Sequence, residues 1–146
     1  MQGGIRLKGA EKQSGSGNPL VSVITVVYNG AKHLEQTINS VLDQEYKNVE
    51  YIIIDGGSAD GTIDIIKRYE DKVDYWQSER DGGIYFAMNK GISLAKGELI
   101  GILNADDFYL PDTVRKVVDA DKFAKADIYY GDMQYVTENA YKLSVA

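Results

Sequence analysis

Two adjacent carboxylates, Asp106 and Asp107, follow an apolar run in Gly97-Glu98-Leu99-Ile100-Gly101-Ile102-Leu103-Asn104-Ala105-Asp106-Asp107-Phe108-Tyr109. The continuous stretch Leu99 to Leu103, bounded by polar and turn residues, predicts a strand buried on both faces. Ligands of open α/β sheets bind beyond the carboxyl ends of strands. Two acidic side chains at such an end form a hard-oxygen site, suited to Mg²⁺ or Mn²⁺. The competing reading is a polar turn leading to a helix near Pro111, because Asp is common in turns.

Asp55 is the second informative carboxylate. It ends the run Val49 to Ile54 and precedes Gly56-Gly57-Ser58-Ala59-Asp60-Gly61. There it could accept a hydrogen bond from a nucleobase N–H or a ribose hydroxyl. It could equally be a turn residue, with Asp60 or Ser58 capping a helix at Thr62. A third turn, Glu79-Arg80-Asp81-Gly82-Gly83-Ile84, also falls at the carboxyl edge, and Asp81 taken alone fits a helix N-cap.

Other chemistries are excluded or unsupported. No G-x-G-x-x-G follows the first strand, which runs instead into Tyr28-Asn29-Gly30-Ala31-Lys32, and no P-loop occurs. The glycine cluster after Asp55 fails as an EF-hand, having Asp60 where the loop glycine should be. A bound phosphate would therefore depend on a metal rather than on a glycine nest. The single histidine, His33, falls early on an amphipathic helix, and nothing marks it for a Ser-His-Asp set. The absence of cysteine excludes disulfides, thiolate nucleophiles and Cys-based zinc sites.

These residues need elements to hold them. Val21 to Tyr28 is β-branched and apolar, a buried strand; Leu34, Ile38, Val41 and Leu42 then fall at helical spacing within Ala31 to Gln44. Val49 to Ile54 is a second strand, and Ile63, Ile66 and Tyr69 mark a second helix. Val73 to Gln77 predicts a third strand, and Ile84, Ala87, Met88, Gly91 and Ala95 one apolar helical face. Leu99 to Leu103 is the fourth strand, Val114, Val117, Val118 and Phe123 a fourth helix, and Ile128 to Tyr130 a fifth strand, with a further strand-like stretch at Met133 to Thr137. This alternation predicts an α/β fold with a mostly parallel, Rossmann-like sheet and helices on both faces. Residues 1–19, rich in Gly, Ser, Lys and Gln, predict a flexible lead-in outside the fold. The domain is expected over residues 20–137, with a tail at 138–146. A sheet that stops after its fifth strand is either a complete small domain or the front of a larger one.

The chain has 146 residues and a net charge of −6, enough for one domain with a real core. That charge argues against general attraction to nucleic acid or to anionic membranes. An acidic protein that handles a phosphorylated ligand needs a bridging cation, which agrees with a metal at Asp106 and Asp107. No transmembrane segment or signal-peptide core is present, so the cytoplasm is expected.

The motifs together resemble the family 2 glycosyltransferases, nucleotide-sugar-dependent enzymes of the GT-A fold. The matching text is Ser22-Val23-Ile24-Thr25-Val26-Val27-Tyr28-Asn29, Ile54-Asp55-Gly56-Gly57-Ser58-Ala59-Asp60-Gly61-Thr62, Asp81-Gly82-Gly83-Ile84-Tyr85, Ala87-Met88-Asn89-Lys90-Gly91 and Asn104-Ala105-Asp106-Asp107. Each is weak alone, but their order and spacing are specific, and they run from about Pro19 to about Tyr135.

The resemblance implies a donor site for a nucleoside-diphosphate sugar, most simply a UDP-sugar, with Asp55 on the base. Asp106 would lie near the ribose, and Asp107 would hold Mn²⁺ or Mg²⁺ on the diphosphate. Tyr28, Asn29 and Asp81 would line the nucleotide. The implied reaction is inverting transfer to an acceptor glycan or lipid-linked sugar in bacterial surface-polysaccharide assembly, at the inner face of the membrane. Three positions depart from the family pattern: Asn104 and Gly56 stand where many relatives have Asp, and Phe86 where close relatives often do. Relatives also run considerably longer, their later half supplying the acceptor wall and a catalytic Asp or Glu. Glu138, the only acidic residue after Asp132, has no family motif around it and is not assigned as that base. Two other classes use the same residues: a non-catalytic nucleotide-sugar-binding module, and a metal-dependent nucleotidyltransferase releasing pyrophosphate. An uncovered sheet edge would favour a homo-oligomer.

Overall fold

The structure, a computed structural model, describes residues 1–137. Its centre is β2 (Val21–Val27), all seven residues of which are buried. All but Ser22 are β-branched, and such side chains fit a pleated strand covered on both faces. β3 (Val49–Asp55) pairs parallel with one side of β2, and β5 (Leu99–Asn104) with the other. β4 (Tyr75–Ser78) lies parallel beyond β3, and β1 (Gln2–Gly3) runs antiparallel at the far edge. The order is β1-β4-β3-β2-β5, so chain progression reverses direction at β2.

Four helices cover the two faces. Leu34, Ile38 and Val41 of α1 (Leu34–Leu42), Ile66 of α2 (Thr62–Arg68), and Val114 and Val118 of α4 (Thr113–Ala124) pack on Val23, Tyr51, Ile53 and Leu103. The opposite face holds α3 (Ile84–Leu94), whose Ala87 packs with Ile24, Val26, Ile52 and Ile54. Gly91 lets α3 settle onto the sheet, since a Cβ there would overlap the Ile24 side chain. The α/β class, the mostly parallel sheet and the two helical layers agree with the sequence.

Three expectations need correction. β5 is not buried on both faces: Ile100 is 45% and Ile102 40% exposed. α3 lies chiefly over β2 and β3 and leaves the Ile100–Ile102 side of β5 partly exposed, and among the described residues no strand pairs with its outer edge. Ile128–Tyr130 forms no strand, and Ile128 and Tyr130 are exposed; Met133–Thr137 contributes only a single bridging position, Val136. Both stretches have strand composition, but composition cannot supply a neighbouring strand to pair with.

The third correction concerns residues 1–19. β1 joins the sheet with Gln2 opposite Gln77 and Gly3 opposite Trp76, and a 3₁₀ turn follows at Ile5–Lys8. Arg6 forms an ion pair with Glu50, which is 2% exposed, and Lys12 Nζ lies 2.8 Å from Oδ2 of the buried Asp74. The basic residues that made this segment look like a solvated tail are the countercharges of two buried carboxylates, which would be costly unpaired. The tail at 138–146, with Glu138, lies outside the described residues.

Candidate functional site

Four loops leave the carboxyl edge of the sheet: 28–30 after β2, 56–61 after β3, 79–83 after β4 and 105–112 after β5. Register fixes their heights, with Val27 opposite Asp55 and Val26 opposite Asn104. At about 4.8 Å between neighbouring strands, Asp55 and the start of the 105–107 turn stand roughly 10 Å apart across β2. The gap between β2 and β5 is where strand order reverses, the position at which open α/β sheets bind ligands.

A cleft of about 460 Å³ opens at this edge, lined by Tyr28, Gly56, Arg80, Asp81, Ile84 and Ala87 among others. Tyr28 is 69% exposed, so its ring is open to a stacking partner. Gly56 forms the floor between Tyr28 and Asp81. A Cβ there would lie 3.4 Å from both Asp81 carboxylate oxygens and from the Tyr28 ring. Asp81 does not cap α3 directly; its Oδ1 accepts from the Gly83 N–H at 2.8 Å, folding the turn that starts the helix. Phe86 is exposed, and its ring lies over Gly82 outside this cleft.

Asp55 lies beneath the floor and is fully buried. Its Oδ2 accepts from the N–H groups of Gly57 (3.1 Å) and Ser58 (3.0 Å) and from the Ser78 hydroxyl (2.6 Å), while Oδ1 accepts from the Ser58 hydroxyl. In this arrangement both oxygens face protein donors rather than the cleft. Asn29 is likewise engaged: its N–H donates to Ser58 Oγ at 2.7 Å and its Oδ1 accepts from the Ala59 N–H at 3.0 Å. Asn29 holds a left-handed φ of 50°, a conformation Asn tolerates better than most side chains. Asp60 completes this stitching, accepting from the Ala31 N–H through Oδ2 and from Thr62 through Oδ1. The hydrogen bond from the Thr62 hydroxyl holds the Asp60 carboxyl below its ordinary pKa.

Asp106 and Asp107 stand across the 28–30 turn from the cleft and do not line it. The two loops meet where a Cβ on Gly30 would come 3.5 Å from the Ala105 Cβ. Asp106 is exposed and Asp107 half-buried, and no other described residue engages either carboxylate. Among the described residues no group of three His, Cys, Asp or Glu gathers to hold a metal alone. Two free carboxylates suit a cation such as Mg²⁺ or Mn²⁺ that takes its remaining oxygens from a ligand's phosphates and from water. The residues fit such an ion on those terms.

The 105–114 segment is held by two α1 side chains, Thr37 and Ser40, and by Gln44 just beyond the helix end, none of which the sequence reading singled out. The Thr37 hydroxyl lies 2.9 Å from the Ala105 carbonyl and 2.7 Å from that of Asp107, and Ser40 Oγ accepts from the Tyr109 N–H. Gln44, 1% exposed, donates to the Leu110 carbonyl and accepts from the Val114 N–H. Their signal was present as a polar stripe at three- and four-residue spacing beside the apolar stripe of α1. Arg80 was also missed; it is a cation in a carboxyl-edge loop of an acidic chain.

The sequence model of the family described as Glycosyl transferase family 2 matches residues 22–144. A glycosyltransferase of Mycobacterium tuberculosis (strain H37Rv) is 46% identical over 104 residues, spanning 70% of this chain and 40% of the relative. A Bacillus subtilis glycosyltransferase named for teichuronic acid biosynthesis, TuaG, is 38% identical over 104 residues, spanning 69% of this chain and 41% of the relative. The chain thus spans about two fifths of the length of these relatives. Among solved structures, residues 1–349 of Staphylococcus aureus TarS with UDP-GlcNAc superimpose with a TM-score of 0.68 at 24% identity, over 74% of this chain and 32% of that one. A mannosyltransferase from Pyrobaculum calidifontis with GDP-Man and Mn²⁺ gives a TM-score of 0.66 at 25% identity, over 84% of this chain and 38% of that one.

Proposed function

We propose, from the premise that this chain belongs to glycosyl transferase family 2, that its carboxyl-edge cleft is the donor site for a nucleoside-diphosphate sugar. One observation carries the reading: the cleft between Tyr28 and Asp81 opens at the carboxyl ends of β2, β3 and β4, beside the β2–β5 gap where strand order reverses and one turn away from the unengaged pair Asp106 and Asp107. Tyr28 offers its ring to the base, and Asp81 accepts hydrogen bonds from base or ribose. Asp55 and Asn29 act from beneath, fixing the loop whose Gly56 leaves room for the nucleoside. Arg80 brings positive charge toward an anionic ligand. Asp106 faces the ribose side, and Asp107 holds Mn²⁺ or Mg²⁺ at the diphosphate. A divalent ion there offsets charge on the departing nucleoside diphosphate, a Lewis-acid contribution of several kcal/mol. The UDP-GlcNAc in the TarS structure and the GDP-Man and Mn²⁺ in the mannosyltransferase structure support a nucleotide-sugar site used with a divalent ion, while the roles of the individual residues are our reading.

The whole enzyme would transfer the sugar with inversion to an acceptor glycan or lipid-linked sugar in surface-polysaccharide assembly. The name of TuaG supports that setting. No helix of the described residues is long and apolar enough to cross a membrane, which is compatible with work at the cytoplasmic face. No base is assigned among the described residues.

Titration calorimetry with UDP, with and without Mn²⁺, tests the reading. Tighter binding with the ion is expected. Equal affinity in both conditions refutes the metal role, and no binding in either refutes the donor site.

A further inference from the structure

The hydrogen bonds that fix the cleft floor continue out of it, through the end of β4, to the first residues of the chain. Ser78 closes β4 and is 5% exposed. Its hydroxyl donates to Asp55 Oδ2 at 2.6 Å, the oxygen that also receives the Gly57 and Ser58 N–H groups. Its own N–H donates to the Met1 carbonyl at 2.8 Å. β4 is four residues long, and its described neighbour on the outer side is β1. β1 alone is two residues, too short to hold an edge. It is kept there by Ile5 and Arg6, whose N–H groups donate to the Val73 and Asp74 carbonyls, and by the ion pairs of Arg6 and Lys12 with Glu50 and Asp74. The chain of contacts is continuous: cations on 1–12, β1, Ser78, Asp55, floor loop.

We propose that Ser78 is the positioning residue for Asp55 and the 56–58 loop, and that residues 1–12, by clamping β4, belong to the nucleotide-binding machinery. Without the Ser78 donor the buried Asp55 carboxylate is less firmly held, so its bonds to the Gly57 and Ser58 N–H groups, which set the height of the Gly56 floor, open more readily. The consequence for ligand binding rests on the cleft being the nucleotide site; the effect on the loop does not.

The experiment compares the full chain with Ser78→Ala, Ser78→Thr and Gly3→Val. A side chain at Gly3 would overlap the Trp76 indole and the Glu70 carboxylate, expelling β1 from a position remote from the cleft. Two readouts are taken: amide exchange at Gly57 and Ser58 without ligand, and UDP affinity with Mn²⁺. Ser78→Ala should speed exchange at both amides and weaken UDP about tenfold, the usual scale for a hydrogen bond to a charged group. Ser78→Thr keeps the hydroxyl and should restore both readouts. Gly3→Val should follow Ser78→Ala. Parent-like exchange at Gly57 and Ser58 in Ser78→Ala overturns the role of Ser78. The same result in a folded Gly3→Val, with Trp76 to Ser78 deprotected, overturns the role of the clamp. Should Gly3→Val not fold, the Ser78 pair still decides. If the parent chain fails to bind UDP, the donor-site reading falls, while the exchange data still judge the Ser78 relay.

Discussion

The Thr37 hydroxyl on α1 donates to the Asp107 carbonyl across 2.7 Å and lies 2.9 Å from that of Ala105. One buried helix side chain thus holds both ends of the turn that carries the acidic pair. Thr37→Val keeps the shape and removes the donor. We expect a loss of about 1–3 kcal/mol in stability from the two carbonyls left short of a partner. The Mn²⁺-dependent part of UDP binding should fall more than metal-free binding, and melting curves with calorimetry check both.

The carboxylates themselves separate by role. Asp107→Ala should abolish the gain in UDP affinity from Mn²⁺ while leaving the fold unchanged, because its side chain engages no described residue. Asp55→Ala should weaken nucleoside binding and also destabilise the protein by about 3 kcal/mol or more, since four hydrogen bonds lose their acceptor. Metal-free calorimetry and denaturant unfolding distinguish the two patterns.

Tyr28→Ala should lower UDP affinity about tenfold, the scale of losing one base–aromatic stack. Melting temperature should hardly change, because the ring is largely exposed. Unaltered affinity would remove Tyr28 from the site.

Acid should loosen the site loops through Asp60. Its folded-state pKa is lowered, chiefly by the Thr62 hydroxyl. Its contribution is therefore fully present above the ordinary carboxylate value of about 4 and is lost as pH falls through the depressed folded value. Asp60→Asn should flatten that part of the stability profile. Melting temperatures at a series of pH values between about 6 and about 2.5 provide the check.

Gly91→Ala should destabilise by about 1–3 kcal/mol, because the added methyl would overlap Ile24 and push α3 off the sheet. Helix propensity alone points the other way, toward stabilisation. The sign measured by denaturant unfolding therefore tells close packing from propensity.

The α/β order was legible because β2 and β3 are β-branched, mainly apolar stretches separated by a helix with its apolar residues in register. Tyr28, Asp55, Asp81 and Asp106-Asp107 were legible as carboxyl-edge residues for the same reason. What stayed hidden was pairing. Leu99 to Leu103 has the composition of an interior strand yet lies at an edge among the described residues, and Ile128 to Tyr130 has strand residues but pairs with no described strand. Partner choice hid the rest: nothing in the string Ile54-Asp55-Gly56 tells that the Asp55 oxygens turn inward to Ser58 and Ser78. The Gly- and Lys-rich opening segment likewise counts as tail until Glu50 and Asp74 are known to be buried beneath it.

Among the described residues no strand covers the outer edge of β5, and that sets a practical limit on handling this protein. Ile100 and Ile102 project from the sheet face that α3 leaves largely uncovered, beside a strand edge that no described strand pairs with, the geometry that invites intermolecular stacking in concentrated samples. Replacing both with Thr or Lys would give a better-behaved reagent for calorimetry or sensor work, and Asp106 and Asp107, the pair proposed to hold the cation beyond the strand's end, would keep their place.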